Sequence, residues 1–280
     1  MLIEGMDTAF GPLRGGSMRV LTWNLWHQFG PWEARRPAIL EAVIALDPDI
    51  CCLQEVWEDG GVNLAALIAE RLGGHHHVFG SRLDVGGVKF GNAVVSRWPL
   101  AGHEVLALPA PADADELRTC VRADIEAPFG PVQAFSTHLN WRFDHSAIRQ
   151  DQVRAVCEFI AGSPARSFPP ILGGDFNAAP DSDEIRMLTG RMAVPVPKLV
   201  FHDGWEVANA GASDPGFTWS NDNPFGARDL EPSRRIDYVF VGWPKEGGAG
   251  HVEACEVVGQ DAVDGIVPSD HYGVLATLRC

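Results

Sequence analysis

Phe168-Pro-Pro-Ile-Leu-Gly-Gly-Asp-Phe-Asn177 decides how this chain is read: a short apolar run closed by two glycines, then two polar residues flanking a phenylalanine. The run predicts a buried strand ending in a tight turn, with Asp175 and Asn177 projecting from the strand end. At average residue frequencies a specified tetrapeptide such as Gly174-Asp175-Phe176-Asn177 arises about once in 10⁵ positions. Its occurrence together with Ser269-Asp270-His271 near the chain end points to encoded chemistry rather than to composition.

The same arrangement recurs outward from this stretch. Asn24 follows Met18-Arg-Val-Leu-Thr-Trp, Glu55 follows Asp49-Ile-Cys-Cys-Leu-Gln, and His138 follows Val132-Gln-Ala-Phe-Ser-Thr. Asp237 opens the apolar run Tyr238-Val-Phe-Val, and Asp270-His271 open Tyr272-Gly-Val-Leu-Ala-Thr-Leu. A single polar residue at a strand end is ordinarily a turn former or a cap. Six strands delivering such groups, with no lysine among them, argue instead for a shared cleft. Convergence would gather Glu55, Asp175, Asp237 and Asp270, and two carboxylates about 4 Å apart repel by roughly 4 kcal/mol at an effective dielectric near 20. A divalent cation removes that cost. Carboxylate and amide oxygens suit Mg²⁺, which is held by one or two carboxylates plus substrate phosphate, and Mn²⁺ accepts the same ligands. Zinc is disfavoured, since structural zinc sites want Cys and His at short spacing and Cys51, Cys52, Cys120, Cys157, Cys255 and Cys280 offer no such pattern. They read as buried thiols.

Thr22-Trp-Asn24-Leu, Leu53-Gln-Glu55-Val, Ser136-Thr-His138-Leu, Gly174-Asp175-Phe-Asn177, Arg235-Ile-Asp237-Tyr and Ser269-Asp270-His271 resemble, in order, the motifs of the endonuclease/exonuclease/phosphatase superfamily. That superfamily includes DNase I-like nucleases, abasic-site endonucleases, neutral sphingomyelinases and inositol polyphosphate 5-phosphatases. The resemblance runs from about Met18 to the C-terminus and implies a four-layer α/β/β/α sandwich of two mixed β-sheets flanked by helices. It also implies hydrolysis of a phosphoester P–O bond by activated water with Mg²⁺ or Mn²⁺. Glu55 would be the main metal carboxylate, with Asn24 beside it and Asp270 reaching the same ion or a second. Asp175 would orient or deprotonate the attacking water, Asn177 would hold that water or a phosphate oxygen, and His138 would donate to developing negative charge. His271, polarised by Asp237, would contact the phosphate or act as acid or base. These roles fit in-line attack on phosphorus, which needs an aligned nucleophile, charge stabilisation and help for the leaving oxygen.

Arg118 matches the family's arginine at the head of a central strand, where a guanidinium can bind phosphate bidentately; Arg122 competes for that place. Asn140, Trp141 and Arg142 are placed to stack on and grip a nucleotide, with packing of the loop by Trp141 as the alternative. The abasic-site branch carries an Asp two residues after the first Asn and a Tyr where this chain has His138. Here Trp26 stands in the former place and the tyrosines are Tyr238 and Tyr272 alone, so the His-bearing branches are closer.

The 280 residues are expected to form one domain over 18–280, because a site drawing on Asn24 through His271 would be divided by any split. Residues 1–17 lack a basic leader followed by a sustained apolar stretch and are expected to be a mobile leader outside the fold. No apolar stretch is long enough to span a bilayer, and free cysteines with no signal point to the cytoplasm. Helices are predicted over 37–46, 61–72, 146–160 and 181–188. His75-His76-His77, with no carboxylate close in sequence, reads as loop. The loops 106–116, 140–145, 192–198 and 220–229 are expected to choose the substrate. A formal charge of −15 argues against a long duplex, whose binders normally carry a basic stripe. The expected partner is a phosphoester, DNA, RNA or a small phosphodiester, and the charge favours small phosphodiesters, single strands or a phosphorylated metabolite over a duplex. No protein partner is implied and a monomer is expected. A phosphodiesterase or nuclease is favoured over a phosphomonoesterase or a sphingomyelinase-like lipid phosphodiesterase. A catalytically inert phosphate- or nucleic-acid-binding module, the contrasting class, predicts gaps in the motif set.

Overall fold

Two β-strands here run parallel to their neighbours through a helical crossover, and those two crossovers organise the rest. The computed structural model describes residues 9–112 and 114–280. In chain order the elements are β1 (Ser17–Asn24), α1 (Trp32–Leu46), β2 (Ile50–Asp59), β3 (Val62–Asn63), α2 (Leu64–Arg71), β4 (His76–Val85), β5 (Val88–Ser96), β6 (Leu100–Ala107) and β7 (Thr119–Ala127). There follow β8 (Gly130–His138), α3 (Ser146–Gly162), β9 (Ile171–Asp175), α4 (Asp183–Leu188), β10 (Phe201–Asp203), α5 (Gly204–Ala208), β11 (Asp237–Gly242), β12 (Val252–Val258) and β13 (Gly273–Arg279).

One sheet has the order β12-β13-β1-β2-β5-β4 with β3 against β2, and the other β10-β11-β9-β8-β7-β6. β1 and β2 pair in parallel across α1, as do β8 and β9 across α3, while the remaining pairs are antiparallel. Parallel strands end on the same side, so His138 and Asp175 emerge together from one sheet; in the other, Asn24 ends β1 while Glu55, expected at a strand tip, lies inside β2 at the register shift between Leu53 and Val56. The β8–β9 register sets His138 opposite Asp175, and the β9–β11 register sets Asp237 opposite Asp175. Ligand sites form outside the carboxyl ends of parallel strands for this reason.

The layers follow from which face each strand buries. Val20, Ile50, Cys52 and Val94 of the first sheet meet Val121, Ala134, Ile171 and Val239 of the second in a shared core. On the far side of the first sheet Leu21, Leu53 and Val95 pack on Ile39 and Val43 of α1 and Ile68 of α2. On the far side of the second, Phe135, Leu172 and Phe240 pack on Val153 and Cys157 of α3 and Ile185 of α4. The result is the α/β/β/α sandwich of two mixed sheets. At the centre the sheets approach so closely that a Cβ on Gly173 would lie 2.6 Å from the Cβ of Cys52 and 3.2 Å from that of Thr22; Gly is needed there for space rather than for backbone freedom.

All six cysteines are free and buried. No helix among the described residues is long and apolar enough to cross a membrane. Helix α2 begins at Leu64, later than expected, because Asn63 caps it by accepting from the Ala65 and Ala66 amides and 62–63 pair with β2. His76 and His77 open β4 rather than lying in a loop. Of the expected leader, 1–8 lie outside the described residues. Ser17 belongs to β1, and the segment before it is hydrogen bonded into the domain: the Arg14 amide donates to the Gly247 carbonyl at 2.9 Å, the Gly247 amide to the Phe10 carbonyl at 2.7 Å, and the Cys280 amide to the Gly16 carbonyl at 2.9 Å.

Candidate active site

The strand ends meet at a cleft of about 440 Å³. Beneath its floor the two sheets are pinned by side chains: Gln54 Nε2 donates to Ser136 Oγ at 3.2 Å, and Ser136 Oγ donates to the Leu53 carbonyl at 3.0 Å.

Asp175 is the hub. Its Oδ1 accepts the Asn177 amide at 2.9 Å and its Oδ2 accepts Asn24 Nδ2–H at 3.0 Å. The same Oδ2 lies 3.3 Å from His138 Nε2 and 3.7 Å from His271 Nε2. Burial and the nearby Asp237 push the Asp175 carboxyl up to about 6, with His271 opposing. His271 lies between carboxylates: Nδ1 faces Asp237 Oδ2 at 3.0 Å while Nε2 faces Asp175. Burial alone would lower its pKa, but Asp237, Asp175 and Asp270 outweigh burial and hold it well above the usual histidine range. Trp219 contacts the imidazole edge-on at 5.0 Å between ring centroids.

His138 is the opposite case. Burial, then Arg118 and His271, hold its pKa well below the ordinary value, so the ring is neutral. Arg118 Nη1 lies 3.0 Å from His138 Nδ1, and a guanidinium only donates. Nδ1 therefore accepts and the single ring proton sits on Nε2, among Asp175 and Asn177. The partner of Arg118 on its other side is Glu116, at 3.1 Å. Arg122, the competing arginine, is ion-paired with Glu104 and Asp124 and does not line the cleft.

Glu55 and Asp270 form the other half of the floor. Glu55 has φ +52°, in the left-handed region, and its buried Oε2 has no hydrogen-bond partner. Burial and then the Asp270 charge push Glu55 up to about 7; burial likewise pushes Asp270 up to about 6, with His271 and Arg35 opposing. Two buried like-charged oxygen donors, one of them orphaned, fit a hard divalent cation. Among the described residues a different group, Asp175, Asp237 and His271, places one donor atom each within 4.8 Å of the others. Both ring nitrogens of His271 already face a carboxylate, so the imidazole has no nitrogen free for a metal even though Asp237 Oδ1 is unpartnered, and Glu55 and Asp270 are the better ligands.

Two expected site residues are placed otherwise. Asn24 does not offer its amide oxygen to the Glu55 side: Oδ1 accepts the Trp26 amide at 3.0 Å while Nδ2 holds Asp175. Through these two bonds it braces the hub. Asn140 is buried away from the cleft, its Oδ1 accepting from Gln152 at 2.6 Å and its Nδ2 lying 3.3 Å from His145 Nδ1, and so cannot grip substrate there. Trp141 does line the cleft and is 48% exposed. The rim also carries Phe29, Asp229, Glu231 and Arg234, with Arg234 donating to Glu231 at 2.5 Å.

Arg35 escaped the sequence reading. It is fully buried under the cleft and bonded to five backbone carbonyls; burial draws its pKa down to about 10, opposed by Asp270 and Glu55. The available signal was its spacing, since Arg35, Ala38, Ile39 and Val43 form the buried face of α1.

A model of the endonuclease/exonuclease/phosphatase family matches residues 21–271. "Protein angel" of Drosophila melanogaster is 30% identical over 177 residues, 59% of this chain and 49% of that protein; the chain thus spans about half the length of this curated relative. Among solved structures, an endonuclease/exonuclease/phosphatase from Beutenbergia cavernae is 26% identical with a TM-score of 0.72, covering 94% of this chain and 71% of that one. TDP2 of D. rerio complexed with single strand DNA product is 18% identical with a TM-score of 0.75, covering 95% of this chain and all of the other, and shares the fold.

Proposed function

The chain belongs to the endonuclease/exonuclease/phosphatase family, and we propose that it is a Mg²⁺- or Mn²⁺-dependent phosphodiesterase acting on single-stranded nucleic acid or a small phosphodiester. The observation that carries the reading is the ion-paired array of Asp237, His271 and Asp175 beside Glu55, whose Oε2 has no partner, and Asp270, whose charge pushes Glu55 up further. Glu55 and Asp270 would hold the cation, which when bound supplies Lewis acidity towards phosphoryl oxygens.

Asp175, fixed by Asn24 and Asn177, orients the attacking water and takes its proton. His271 has a carboxylate at each ring nitrogen, so it keeps both protons and serves as a donor to the phosphate or the leaving oxygen. Asp237 holds the imidazolium in orientation. His138, Asn177 and Arg118 supply hydrogen-bond donors where charge builds on the equatorial oxygens, the arrangement that electrostatic catalysis needs. Trp141 at the rim offers a face for a base or other planar group.

Charge argues for the smaller substrates. The chain carries −15 overall, Asp229 and Glu231 stand at the cleft mouth, and Arg234 is engaged by Glu231. The similar D. rerio structure, with its single strand DNA product, supports the single-stranded reading. The proposed form is a monomeric, cytoplasmic, single-domain enzyme.

The test is a panel with Mg²⁺: a short single-stranded DNA, a single-stranded RNA, duplex plasmid and p-nitrophenyl phosphate. Cleavage of a single strand at least about tenfold faster than the plasmid or the monoester is expected. Faster turnover of the monoester would make the chain a phosphomonoesterase, and no turnover of any of them would leave the binding-module class standing.

A further inference from the structure

Arg35 presents a chemical oddity: a buried guanidinium whose hydrogen bonds all end on backbone carbonyls. Nη1 donates to the Leu25 and Pro268 carbonyls, each at 3.0 Å. Nη2 donates to the carbonyls of Trp26 at 2.8 Å, His27 at 3.0 Å and Phe29 at 2.8 Å. The guanidinium plane is covered by the Trp26 ring, with Cζ 4.5 Å from the centroid. Taking an ion out of water without a counter-ion is costly, so a residue of this kind calls for an account beyond packing.

Its position supplies one. Trp26 and His27 have φ of 54° and 37°, a left-handed turn that aims successive carbonyls inward at Arg35. The loop so gathered is stitched to β2 where its register shifts at Gln54 and Glu55: the Leu25 amide donates to the Gln54 carbonyl and the His27 amide to the Glu55 carbonyl, both at 3.0 Å. The Pro268 carbonyl, bonded to the same guanidinium, lies two residues before Asp270, and Ser269 Oγ donates to the Asn24 carbonyl at 2.7 Å. One side chain therefore ties the backbone beside Glu55 to the backbone beside Asp270, two segments more than two hundred residues apart in sequence.

We propose that Arg35 is the positioning residue of the cation site, setting through its rigid donor fork the separation and direction of the Glu55 and Asp270 carboxylates. This rests on the reading that those two carboxylates hold the cation. A lysine at this place keeps the charge but offers a point rather than a planar fork, which makes Arg35→Lys the informative variant. Groups that orient ligands without touching the metal typically change its affinity by about 10- to 100-fold when removed.

The experiment is Mn²⁺ binding to the full chain, measured by electron paramagnetic resonance of the free ion and normalised to folded protein. Arg35→Lys should raise the Mn²⁺ Kd about 10- to 100-fold, with kcat recovering toward wild type at saturating Mn²⁺. An unchanged Kd beside a lowered Tm would make Arg35 merely structural and overturn the proposal. Arg35→Met, which leaves no buried charge, is read the same way should Arg35→Lys not fold; failure of both to fold would also overturn it. Glu55→Gln separates the two readings. If Glu55→Gln weakens Mn²⁺ binding and the Arg35 variants do not, only the positioning role fails; if Glu55→Gln leaves binding unchanged, the assignment of the cation site itself fails.

Discussion

The two halves of the cleft floor are built from the same material, carboxylates and imidazoles at strand ends, and they end in opposite electrostatic states. On one side His271 is held between the carboxylates of Asp237 and Asp175, with Asp175 further fixed by Asn24 and Asn177 and Asp237 Oδ1 left without a partner. On the other, Glu55 and Asp270 have no counter-charge at bonding distance: Glu55 Oε2 has no partner, Asp270 Oδ1 accepts the Ser269 hydroxyl at 3.2 Å, and both carboxyls are pushed up, to about 7 and about 6, as Asp175 is to about 6. Arg35 lies close enough to bias Asp270 but spends its hydrogen bonds on carbonyls. One half carries its own positive group, His271; the other is completed by something positive. Strand-end geometry brings the groups together, and the local partner decides which chemistry each half performs.

That contrast can be attacked at each half separately. The largest expected effect is at the half that carries His271: His271→Gln, which retains a donor towards Asp237, should lower kcat by at least about 10² while the Mg²⁺ concentration for half-maximal activity stays within about twofold. A near-normal rate would remove His271 from the chemistry. Both halves depend on the spacing of the sheets, and Gly173→Ala forces a Cβ against Cys52 and Thr22. It should cost about 2 kcal/mol of stability, read as a lower midpoint in urea, and an unchanged midpoint would show that the sheets have slack. At the unpaired half, Glu55→Gln should raise the Mg²⁺ requirement at least about tenfold, or ~1.4 kcal/mol, with kcat at saturating metal less affected than in His271→Gln. An identical metal titration would mean that Glu55 is no ligand. Outside both halves, Trp141→Ala should cost about 1 kcal/mol in KM for a single-stranded substrate through lost stacking, with kcat unchanged; a fall in kcat alone would place Trp141 in the chemical step.

How much of this was legible depends on whether the cause is local in sequence. An apolar run bounded by a polar residue announces a strand tip, so His138, Asp175, Asn177, Asp237, Asp270 and His271 could be picked out one at a time, and Glu55 with them, although it lies at a register shift inside β2 and not at its tip. Their convergence rests on two parallel pairs and on the register that sets Asp175 against both His138 and Asp237, which no single segment encodes. Asn24 shows the limit within a motif: its amide is visible in the sequence, but its commitment to Asp175 and the Trp26 amide depends on a turn of the loop after β1. Asn140 and Trp141 are neighbours, yet the chain direction buries one against Gln152 and leaves the other at the rim. Arg35 was hidden because an arginine near a helix start reads as solvated surface, and its carbonyl partners come from 25–29 and 268. The segment around Phe10 and Arg14 found its partner at Gly247, a contact with no signature in composition.

In the proposed mechanism both halves of the cleft act together on a phosphodiester. It is tested most directly by hydrolysis of bis-p-nitrophenyl phosphate by wild type and Asp175→Asn, each with Mg²⁺, with Mn²⁺ and with chelator. Turnover that requires the metal and falls at least about 10²-fold in Asp175→Asn is the predicted result. Turnover that survives the chelator, or that Asp175→Asn leaves intact, would contradict the account.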